Sequence, residues 1–130
     1  MAVVFVYPGQ GSQTVGMGKA LAANFAPARQ VFDEVDEALG SKLSTIVFEG
    51  PAETLTLTEN AQPALMAVSL AAMRVLEQEA GLDLAREVQF VAGHSLGESA
   101  TVLRYPGVKR VRSHSRKYCL QSDHHLKMKS

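Results

Sequence analysis

Residues 88–98 read VQFVAGHSLGE, and this stretch decides the fold. VQFVAG (88–93) is a short apolar run, read as a buried strand of a parallel sheet. HSLGES then turns sharply out of it toward a helix. Gly93, Ser95 and Gly97 fit G-x-S-x-G, the strand-to-helix corner that presents a nucleophilic serine. The chemistry needs this composition. A tight corner lifts the hydroxyl above the sheet, and glycines two before and two after it avoid clashes with neighbouring backbone. The N–H of the next residue, Leu96, faces the same space and stabilises an oxyanion, and the following helix adds a favourable dipole. A plainer reading competes: a glycine-rich turn whose serine caps the helix. The strand before it favours the elbow.

Working outward, AVVFVY (2–7) is a second β-branched and aromatic run, bounded by Pro8 and Gly9. PGQGSQ (8–13) follows as a glycine-rich turn. It has no G-x-x-x-x-G-K-[ST] or G-x-G-x-x-G spacing, so a phosphate loop is disfavoured. A flexible turn and a second oxyanion donor both remain open for it. Residues 17–24 and 27–39 read as short helices. In the second, Val31, Val35, Ala38 and Leu39 form an apolar face, with Asp33, Glu34, Asp36 and Glu37 toward solvent and Gly40 as the stop. Residues 43–48 are ambiguous, and 50–55 look like a loop and a helical turn. The clearest helix is 60–81, with Ala64, Ala67, Val68, Ala71, Val75 and Leu76 on one face, Asn60 as its cap and Gly81 at its end. The order β, α, α, β, turn, α predicts an α/β fold with a parallel sheet.

Composition bounds the function classes. Apolar residues make up 46% of 130, enough for a core, and formal net charge is zero. No apolar run approaches the roughly 20 residues that span a bilayer, and the N-terminus lacks a basic secretory n-region. Cys119 is the single cysteine, so there is no internal disulfide. A soluble cytoplasmic protein without membrane contact is expected. The zero charge hides a division: residues 1–96 carry five basic and eleven acidic residues, whereas 97–130 carry eight basic and two acidic.

Three blocks in order, YPGQGSQTVGMG (7–18), ENAQPALMAVSLA (59–71) and VAGHSLGE (91–98), resemble the malonyl-CoA:acyl carrier protein transacylase family, and the resemblance covers residues 1–98. It implies the N-terminal portion of an α/β-hydrolase-like acyltransferase domain, and ping-pong transfer of malonyl from CoA to the carrier-protein thiol. The blocks lie at the N-terminus of the chain, which favours the stand-alone enzyme of fatty-acid synthesis. By this resemblance Ser95 is the nucleophile, the backbone N–H groups of Gln10 and Leu96 form the oxyanion hole, and Gln62 lines the pocket. His94 sits beside the nucleophile in the pocket and is not the general base. The implied partners are malonyl-CoA and acyl carrier protein. Neither a cofactor nor a metal is implied.

After Glu98 the family pattern stops. The aromatic residue usual at the next position is missing, and Pro106 and Gly107 interrupt what should be an alanine-rich helix. His114, His124 and His125 lack the context of the family's general base, which is therefore absent from this chain. Arg104, Arg110, Arg112 and Arg116 lack that of its carboxylate-pairing arginine. The expected division is a partial acyltransferase domain at 1–98 and an irregular or disordered basic tail at 99–130. A shifted reading frame explains the break in pattern, charge and periodicity together. A basic segment for an acidic carrier protein competes with it, and no recognised nucleic-acid motif accompanies the charges. His124 and His125 with Cys119 lack structural-zinc spacing. The expected outcome is a truncated transacylase, inactive or nearly so. A non-catalytic fragment that binds carrier protein or CoA is the alternative. A generic α/β-hydrolase is argued against by the PGQGSQ block.

Overall fold

The computed structural model describes residues 4–83, 90–94, 109–112 and 117–121. The chain divides into two compact units, residues 10–81 and residues 1–9 with 82–130.

The first unit is helical: α1 (Lys19–Asn24), α2 (Ala26–Leu39), α3 (Leu43–Glu49), α4 (Ala52–Thr56) and α5 (Thr58–Gln78). Phe25 is extended and serves both as the end of α1 and as the start of α2, where Pro27 suits the first turn. Arg29 reaches back from α2 and donates to the Ala22 and Ala23 carbonyls at 3.3 and 3.4 Å, satisfying the end of α1. Gly40 stops α2 as expected, in the left-handed conformation, with its N–H on the Asp36 and Glu37 carbonyls. The ambiguous residues 43–48 are helical.

Two helix ends differ from the sequence reading. Asn60 does not cap α5, which starts at Thr58. Its side-chain amide donates instead to the Thr54 carbonyl at 2.8 Å and ties α4 to α5. The helix stops at Gln78, before Gly81. The α2 face differs too. Asp36 is 8% exposed, and Ala38 and Leu39 lie in the open. The reason is α3, whose N-terminus has no side-chain cap of its own. The Asp36 carboxylate accepts from the Ser44 N–H at 2.9 Å and from the Ser44 hydroxyl, doing that work from the neighbouring helix.

Alanines set the spacing of this core. Ala28 of α2 and Ala64, Ala67 and Ala71 of α5 are fully buried, so the two helices approach closely. Phe32, Val47 and Leu55 fill the space between them and α3–α4, with Phe32 edge-on to Phe48 at 4.8 Å between centroids. Gly18, at φ 74°, closes one side: a Cβ there would lie 3.0 Å from Phe32 Cζ and 3.3 Å from Val68 Cγ2. On the surface Arg74 forks onto both oxygens of Glu34 at 3.1 and 3.0 Å, linking α5 to α2. These hydrogen bonds hold the Glu34 carboxyl below its usual range, with the guanidinium charge helping and slight desolvation opposing.

The second unit holds β1 (Val4–Tyr7), β2 (Phe90–His94), β3 (Lys109–Arg112) and β4 (Lys117–Gln121), in the sheet order β1-β2-β4-β3. The fold is α/β, and β1 and β2 pair in parallel as expected, with Tyr7 opposite Gly93. The sheet is nevertheless mixed, not all-parallel, because β4 pairs antiparallel with both β2 and β3. Only residues 113–116 join β3 to β4, and so short a link permits no parallel crossover. These two strands also correct the expectation of an irregular tail for the residues that form them. KRVR and KYCLQ lack helical period but satisfy a ladder with their backbone. Among the described residues, no helix is long and apolar enough to cross a membrane.

Gly18→Ala is expected to cost about 1–3 kcal/mol in denaturant unfolding, because its methyl meets the Phe32 ring in a left-handed backbone. Gly40→Ala, where nothing lies within 4 Å of the new methyl, should cost less. Asp36→Ala should cost about 1–3 kcal/mol by orphaning the Ser44 donors. Glu34's lowered pKa means that its contribution is present above the ordinary carboxylate range and fades as pH falls through the lowered value. Arg74→Met should therefore move the Glu34 titration, followed by NMR, back up toward its ordinary position.

Candidate active site

The loop after β1 is built around glycines because its path requires positive φ, with Gly11 at 104° and Gly16 at 91°. Side chains then fix what glycines leave free. Gly11 N–H donates to Gln13 Oε1 at 2.8 Å, and Gln10 Nε2 donates to Thr58 Oγ1 at 3.2 Å. Further along, Gly16 N–H reaches the Val47 carbonyl at 2.8 Å. Among the described residues no acceptor is recorded for the Gln10 backbone N–H.

Thr58 is the first residue of α5, and Gln62 stands one turn later on the same face. Gln10 and Gln62, both exposed, are thus brought to one end of one helix. Thr58 was not singled out in the sequence, which places the helix start two residues later at Asn60. The Thr58 oxygen takes the Gln10 amide, and the initiating residue Leu57 has no side-chain cap. Only a contact between residues 48 positions apart reveals this.

In the sheet unit, His94 is the last residue of β2, opposite Lys117 of β4. Parallel pairing of Tyr7 with Gly93 means that the chain leaves β1 and β2 at the same edge of the sheet. Ser95 and Leu96 lie outside the described residues, as do His114, His124 and His125. Among the described residues no group of His, Cys, Asp or Glu side chains is arranged to hold a metal ion. A hollow of about 430 Å³ at the α2–α3 junction, lined by Asp33, Asp36 and Glu37, shares no residue with the glycine-rich loop.

The chain is similar to proteins of known family. Residues 4–105 match the acyl transferase domain family model, a little beyond the Glu98 at which the motifs stop. The malonyl CoA-acyl carrier protein transacylase of Bacillus subtilis strain 168 is 48% identical over 101 residues, covering 78% of this chain and 30% of that protein. An acyl-carrier-protein-S-malonyltransferase from Bartonella henselae superposes with a TM-score of 0.76 at 61% identity, over 78% of this chain and 32% of that one. A malonyl-transacylase in complex with a type II acyl-carrier protein superposes at 0.74 with 40% identity, over 83% and 33%. The chain spans about a third of the length of these relatives. With a family model matched over most of its residues, the chain belongs to the acyl transferase domain family.

Proposed function

We propose that this chain carries the nucleophile segment of a malonyl-CoA:acyl carrier protein transacylase of fatty-acid synthesis, acting in the cytoplasm within part of an α/β-hydrolase-like domain. Ser95 Oγ attacks the malonyl thioester carbonyl. The tetrahedral oxyanion is met by the backbone N–H groups of Leu96 and Gln10, and the C–S bond breaks to release CoA, whose thiolate takes up the proton lost by the serine. The carrier-protein thiol then attacks the malonyl-serine ester in the reverse sense and regenerates the hydroxyl. Gln62 and His94 line the pocket. The parallel register carries this reading: because Tyr7 faces Gly93, the loop bearing Gln10 and the motif bearing Ser95 both follow strands that end at one sheet edge.

No histidine of this chain has the context of a general base, so the serine stays a weak nucleophile. What remains is the contribution of the oxyanion donors and of binding, about 10³–10⁴-fold over water in serine enzymes stripped of their base. The proposed chain is thus nearly inactive. The proposed boundary of the family's motif pattern stands at residue 98, where pattern and charge change together, with 99–130 as a basic segment outside that pattern. A second reading, a non-catalytic fragment that binds carrier protein or CoA, is favoured by the one-third coverage of the relatives.

Incubation with malonyl-CoA followed by intact-mass analysis separates the two. A malonyl adduct that grows over hours, lost in Ser95→Ala, supports the acyl-transfer reading. Acylation complete within seconds would overturn the near-inactivity. Binding of CoA or carrier protein with no adduct at any time supports the fragment that only binds.

A further inference from the structure

Gln10 lies between two glycines, Gly9 and Gly11, which have no Cβ to restrict the backbone on either side of it. The neighbouring Gly11 N–H is already committed to Gln13 Oε1. A donor of this kind stabilises an oxyanion only if its direction is held before charge develops. The side chain of Gln10 is tied down within this loop, donating to the Thr58 hydroxyl at 3.2 Å. The anchor is rigid, since the three residues after Thr58 include the fully buried Ala61, and α5 continues through Ala64, Ala67 and Ala71 in the core. Gln62, one turn from Thr58, shares that anchor helix.

We propose that Thr58 is a positioning residue for acyl transfer: by accepting the Gln10 side-chain amide, its hydroxyl fixes the direction of the Gln10 backbone N–H and couples that donor to the helix bearing Gln62. This rests on the acyl-transfer reading. It assigns the threonine a role through Gln10, with no contact to substrate of its own.

Thr58→Val keeps the shape and removes the acceptor, whereas Thr58→Ser keeps the acceptor. With malonyl-CoA at saturation, Thr58→Val should slow Ser95 adduct formation about tenfold, less than the roughly 10²–10³-fold that follows outright loss of an oxyanion donor. The malonyl-CoA concentration for half-maximal rate should stay unchanged, and Thr58→Ser should restore most of the rate. Gln10→Met, which keeps the backbone N–H, should match Thr58→Val, and the double variant should be no slower than either. Independently of activity, amide NMR should show the Gln10 side-chain and backbone signals shifted in Thr58→Val and native in Thr58→Ser, at an unchanged melting temperature. A Thr58→Val chain with native Gln10 signals, or with the parent acylation rate, overturns the proposal. If the parent chain binds malonyl-CoA and never forms an adduct, the acyl-transfer reading and the catalytic role fail together, while shifted Gln10 signals would still establish the tether.

Discussion

The ring of Phe32 stands where any side chain at position 18 would have to go. That single steric constraint joins three parts of the helical unit: the end of the glycine-rich loop, the middle of α2, and α5 through Val68. Close packing leaves no slack for the loop to drift, because interiors packed to this density respond to a displaced methyl by shifting backbone. The loop is then held at two further points, by Gly16 on Val47 and by Gln10 on Thr58. Glycines supply the path, and contacts to rigid helices supply the definition. A loop with this composition but without those anchors would sample many directions for the Gln10 N–H.

Charge in α2 is distributed by the same logic of position. The run DEVDE (33–37) contains four carboxylates within five residues, yet they do different work. Asp33 and Glu37 face solvent, Glu34 takes the Arg74 fork, and Asp36 turns inward to serve the start of α3. Burying a carboxylate is costly unless its oxygens are satisfied, and Ser44 satisfies both. Asp36 therefore links helix order to helix packing. The surface pair contributes little by comparison, as exposed ion pairs do.

In the sheet unit, the parallel pairing of β1 with β2 matters most for function, since it brings two carboxyl ends to one edge, where ligands of open α/β sheets bind. The strands β4 and β3 extend the ladder from the other side of β2, so that β2 is paired along both edges.

The sequence by itself determined the succession of a first strand, a run of helices and a second strand, the stops at Gly40 and after Tyr7, and the G-x-S-x-G motif around Ser95, because each is written in residues close along the chain. Periodicity of apolar side chains and the demand of tight turns for glycine are local rules. What the tertiary structure decided was everything set by a partner far away in sequence. Asp36 reads as a solvent residue until α3 is placed beside it, Asn60 as a cap until Thr54 is found, and Thr58 carries no local signal until Gln10 reaches it. The strands at 109–112 and 117–121 were missed for the same reason: a ladder is satisfied by backbone bonds between segments, and no residue within either strand states which neighbour it will meet.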